Sequence, residues 1–96
     1  MTGYREGSGW SDQNELRCLL IFKRLEAAGY PHGLQTSYAR ELAVRTGLSV
    51  STIKAKVGNY KSLAGASGES HASTKSREIF ERHGHRSIRD LEKLIA

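Results

Sequence analysis

Residues 46–63 read TGLSVSTIKAKVGNYKSL. Val50, Ile53, Val57 and Tyr60 recur at gaps of three, four and three, the spacing of one helical face. Between them lie Ser51, Thr52, Lys54, Lys56 and Asn59, and the stretch holds no acidic residue. One face is fit for a core. The other is small, polar and basic, and calls for a different partner.

Working backwards, TSYARELAVRTG predicts a second helix with Thr36 or Ser37 as its cap, ending at Gly47. Tyr38, Ala39, Leu42 and Ala43 supply its buried face. Ser49 then caps the helix of the opening stretch. The connection of about three residues around Gly47 has the length of a helix-turn-helix link. Ala43 lies four residues before Gly47 and Ile53 six after it. A small side chain lets two helices cross closely, and glycine accepts the left-handed turn at little cost. Ile53 is expected to insert beside Leu42 and Leu48. Thr46 and Lys56 stand where such motifs commonly carry aliphatic residues, with Val57 able to replace the second. The helix-turn-helix is placed at about residues 37–62.

Outside this unit the pattern stays helical. Ser11 and Asp12 start a first helix, DQNELRCLLIFKRLEAAG, with Leu16, Leu19, Leu20, Phe22 and Leu25 on its apolar face. Gly29 and Pro31 close it. Trp10 is expected to pack beneath its entry, with stacking on DNA as the alternative. YPHGLQ is a loop. AGASGESHAS is a small, polar crossing. A fourth helix runs from about Thr74 to Gly84 with Ile79 and Phe80 inward. Ser87 and Asp90, at capping-box spacing, open a fifth with the stripe Ile88, Leu91, Leu94 and Ile95. No alternating strand pattern appears. The expected fold class is all-α, a small bundle of about five helices: residues 1–9 a flexible tail, 10–96 one domain.

The chain has 96 residues, a net charge of +5 and a pI of about 9.7. The distribution of charge is the informative part. Residues 1–33 balance and residues 64–96 carry a small excess. Residues 34–63 hold Arg40, Arg45, Lys54, Lys56 and Lys61 against Glu41 alone. A localised basic patch is the footprint of nucleic-acid binding, a solvated lysine face being the plainer alternative. The longest apolar run, Cys18–Phe22, is too short to span a membrane. Residues 1–9 lack the apolar core of a secretory signal. The lone Cys18 makes no internal disulfide. A cytoplasmic location follows as the expectation.

The third helix then divides into roles. Ser49, Ser51, Thr52, Ala55 and Asn59 are the candidate base contacts. Short hydroxyls bond donors or acceptors, Ala55 suits a thymine methyl, and Asn59 matches an adenine edge. Asn59 as a helix-terminating residue bonded to backbone is the alternative. Arg40, Arg45, Lys54, Lys56 and Lys61 are candidate phosphate contacts, which position a protein without reading sequence. His71 and Lys75 join them, because their loop precedes a helix N-terminus, with an exposed polar loop as the alternative.

Three segments together carry a family resemblance: WSDQNEL, TGLSVSTIKAKVGNYKSL and SGESHASTKSREIFERHG. The chain resembles the small helical domain found ahead of HNH nuclease modules in many bacterial and phage proteins. The matching positions are Trp10, Gly47, Ser49, Lys56, and Asn59 with Tyr60, and the resemblance spans roughly residues 10–84. It implies a DNA-targeting module. Leu48 stands where members often carry arginine, which would remove a phosphate contact. No HNH constellation occurs in the 96 residues, leaving an excised targeting domain or a stand-alone protein.

No enzyme activity, cofactor or metal is expected. His83 and His85 bracket a helix end, Cys18 and His32 are remote from them, and no pair has zinc-finger spacing. Ser70 and His71 lack an orienting acid. The expected partner is double-stranded DNA, with a nuclease module as companion and recognition of modified bases as a variant. The rival is a protein-interaction module or phage-encoded inhibitor on the same scaffold, binding a host protein. The Ile88–Ile95 stripe would then offer a partner or homodimer face. The oligomeric state is left open.

Overall fold

The computed structural model describes Tyr4, residues 7–65 and residues 72–95. Helix α1 (Asp12–Ala28) begins where Ser11 accepts a hydrogen bond from the Asn14 N–H, satisfying one of the orphan amides of the first turn. Cys18, Leu19, Phe22 and Leu25 lie on its buried side. α1 touches each of the other four helices and forms the axis of the fold.

Helix α2 (Leu34–Thr46) starts earlier than expected. Its N-cap is Gly33, and Thr36 and Ser37 lie inside the first turns. The reason is the turn before it. The Leu34 N–H reaches the Pro31 carbonyl at 3.2 Å and the Ser37 N–H the Gly33 carbonyl at 3.1 Å. Leu34, packed against the core, is thereby drawn into the helix.

Helix α3 (Val50–Leu63) is capped by Ser49, as the pattern predicts. Gly47, at φ +78°, carries the chain between the two helices, and its N–H closes on the Ala43 carbonyl at 2.9 Å. Thr46 explains itself here. Its hydroxyl donates to the Leu42 carbonyl at 2.8 Å and accepts from the Leu48 N–H at 3.2 Å. An aliphatic residue offers neither bond. Ile53, Leu42 and Leu48 share the core.

Helix α4 (Thr74–His83) packs on α1 and α3, with Ile79 buried and the Phe80 ring 6.4 Å from that of Tyr60. Helix α5 (Ile88–Leu94), capped by Ser87, leans on α1. Leu91 is fully buried and Ile88 and Ile95 partly so, but Leu94 is exposed. The expected four-residue stripe is therefore narrower, because α5 meets its neighbour along one edge only. Its carbonyl end is held by Gln13, which donates to the Leu94 carbonyl at 3.0 Å.

Ahead of α1, Asn14 donates to the Gly9 carbonyl at 2.8 Å and the Tyr4 hydroxyl to Asp12, also at 2.8 Å. Gly9 passes so close to the α2–α3 turn that a Cβ there would sit 2.9 Å from Leu48 Cδ2. Leu48 is thus a core residue, which accounts for an apolar side chain at this position. The rest of the expected tail (residues 1–3, 5 and 6) and residues 66–71 of the polar crossing lie outside the described residues. All the regular structure described is helical, and no described helix is long and apolar enough to cross a membrane.

Candidate nucleic-acid interface

Helix α3 is divided sharply in two. Ile53, Val57 and Tyr60 are buried, held by α1, α2 and α4. On the opposite side Ser51, Ala55, Gly58 and Ser62 follow one another at helical spacing, and every one is small. Lys54 is exposed beside this stripe, and its own carbonyl accepts from Gln35 of α2 at 3.2 Å. That bond ties the middle of α3 to the start of α2.

The N-terminal end of α3 carries three hydroxyls. Ser49 caps, accepting from the Thr52 N–H at 3.1 Å. It also donates to the Thr52 hydroxyl at 2.7 Å and lies 3.2 Å from that of Ser51. All three residues are exposed, so the cluster faces outward as one polar surface beside the positive end of the helix dipole. Asn59 is half-buried in mid-helix, and its amide makes no hydrogen bond to a described residue. A helix-terminating role does not fit, since α3 continues through Leu63.

The basic residues separate into three groups. Arg40 and Lys54 are exposed. Lys61 is half-buried, its ammonium 4.5 Å from the centre of the Tyr30 ring, a cation–π contact. Arg45 opens onto a groove shared with α1 and Ile95, beside Arg17, Leu20 and Ile21.

Two expected phosphate contacts need correction. Lys56, expected outward, turns inward with a side chain only 13 % exposed. Its ammonium lies 3.1 Å from Glu15 Oε2, 2.9 Å from the Ser76 hydroxyl and 4.5 Å above the Trp10 ring. Lys75 sits 3.2 Å from Asp12 and 3.8 Å from Glu78, which answer its charge. His71 lies outside the described residues.

The carboxylate of Glu15 was hidden in the sequence. It is 1 % exposed and accepts from the Tyr60 hydroxyl at 2.5 Å and from Ser76 at 2.9 Å as well as from Lys56. Burial first, then the negative charge of Glu15, pushes the Tyr60 hydroxyl far above the usual phenol range. The cluster joins α1, α3 and α4 through one fully bonded carboxylate. A signal was present: Glu15 leads Cys18, Leu19 and Phe22 on the inward side of α1, and Lys56 accompanies Ile53, Val57 and Tyr60.

Elsewhere the chemistry is quiet. Burial pushes the Cys18 thiol up to about 12, so it is a poor nucleophile. No group of three or more His, Cys, Asp or Glu side chains among the described residues is placed to hold a metal ion. No protein-family model, curated protein or solved structure matches this chain.

Proposed function

We propose that this chain is a double-stranded DNA-binding domain in which α2 and α3 act as a helix-turn-helix and α3 enters the major groove. One observation carries this reading. The buried side of α3 is fully committed to the core, while its outward side is a stripe of small residues with three hydroxyls and Lys54 and no acid. Small side chains let a helix approach base edges closely, and the absence of carboxylates suits a polyanion. Ser51, Thr52, Ala55 and Asn59 face the bases, and Ser49 orients them while capping. Lys54, Lys61 and Arg40 meet phosphates. Lys56 is reassigned to holding the helix in place.

On this reading the domain acts in the cytoplasm as a targeting module, alongside an HNH-type nuclease, or as a small regulator of bacterial or phage origin. It has no catalytic role of its own. The test is duplex binding by fluorescence anisotropy at rising salt. With three or four phosphates neutralised, the log–log slope against salt should be about −3. Lys54→Ala should weaken binding to all duplexes alike, whereas Ser51→Ala and Asn59→Ala should change preference between duplexes. No affinity at low salt, or affinity indifferent to salt, rejects the function.

A further inference from the structure

On the other flank of α2, Val44 is 88 % exposed, the extreme among the large apolar side chains described. A β-branched residue weakens a helix slightly, and in the single chain it gains no burial in return. Val44 stands at the rim of an open groove of about 710 Å³. Leu20 and Ile21 of α1, Tyr38 and Leu42 of α2, and Ile95 form the apolar part of its wall. Glu41 and Arg45 lie on the same wall, one turn apart, and neither makes an ion pair or side-chain hydrogen bond with a described residue. The surface therefore holds a knob, a hole and, on α2, an acid and a base one turn apart, with Arg17 and the Arg24–Glu92 ion pair across the groove.

We infer that this surface is the contact between two copies of the chain, related by a two-fold axis that crosses α2 antiparallel to its partner. An isologous contact must be complementary to itself, and this surface is. With the axis passing near residue 43, Glu41 of one copy faces the partner's Arg45, and the exchange repeats on the other side. Val44 of each copy enters the groove of the other. Glu41 and Arg45, an acid and a base set evenly about that axis beside an exposed valine, are matched together by a second copy. The contact uses neither Ser51, Lys54, Ala55 nor Asn59, so it stands independently of DNA binding.

Sedimentation equilibrium across the micromolar range is the test. The chain should show a monomer–dimer equilibrium. Val44→Glu should raise the dimer Kd at least about tenfold, while its far-ultraviolet circular dichroism, and its melting temperature at concentrations below the parent's dimer Kd, stay those of the parent. Glu41→Arg and Arg45→Glu should each weaken the dimer by like-charge opposition. The double variant E41R/R45E restores the pairing with signs reversed and should recover association. A monomer at every concentration, a dimer that Val44→Glu leaves intact, or a double variant no tighter than the singles overturns the inference.

Discussion

Lys54 and Lys56 lie two residues apart on α3 and have opposite environments. Lys54 is exposed with no acidic partner among the described residues, and Lys56 is held against Glu15, Ser76 and the face of Trp10. Removing one partner of a buried pair strands the other charge, which typically costs about 3–5 kcal/mol. Urea denaturation of Glu15→Ala should show a loss of that order. Glu15→Gln, which still offers an oxygen to Tyr60, should lose less. Lys54→Ala should stay within about 0.5 kcal/mol of the parent. A Glu15→Ala protein as stable as the parent contradicts the role given to the cluster. Cys18, fully buried with its thiol pushed up to about 12, should resist alkylation until the protein unfolds. Rapid labelling of the native chain would overturn that.

His83 gives a pH dependence with a definite sign. Burial first, then the charges of Arg86 and Arg82, lowers its imidazole below the ordinary 6.5. The Arg86 Nε–H donates to Nδ1 at 2.9 Å, a bond that only the neutral ring accepts. The unfolded chain therefore binds this proton more readily than the folded one. The stabilisation is complete above pH 6.5 and is lost as pH falls through the folded-state value. Melting temperature against pH should decline less steeply on the acid side for His83→Gln than for the parent. Identical profiles contradict this assignment.

At the scale of elements, α3 was legible because its apolar period, its Ser49 cap and its lack of acids all agree. The caps at Ser11 and Ser87 were legible for the same reason: one hydroxyl satisfies one orphan amide whatever the tertiary setting. The start of α2 was not. Thr36 and Ser37 are the better capping residues, but the Pro31–Gly33 turn sets the helix going first. Glu15 was obscured because an acid in a first turn has a ready reason to be there, beside the helix dipole. Its spacing to Cys18, Leu19 and Phe22 places it on the inward side, and the packing of α3 and α4 on α1 supplies the partners that hold its carboxylate there. The groove beside Val44 could not be read at all, since three separate segments form it.

At the scale of the whole molecule, α1 is an axis from which two surfaces are presented. The α3 surface is small, hydroxyl-rich and basic. The α2–α1–Ile95 surface is grooved, apolar and mixed in charge. With Lys56 turned inward, the proposed duplex contact relies on Arg40, Lys54 and Lys61, while Arg45 lies with the second surface. The assignment of the first surface to DNA is central, and backbone amide chemical shifts report on it directly. Titrating the isotopically labelled chain with a duplex at low salt should move the amides of residues 49–59 most, with those of Leu20, Ile21 and Ile95 still. Unchanged spectra, or shifts confined to the groove beside Val44, would contradict DNA recognition by α3.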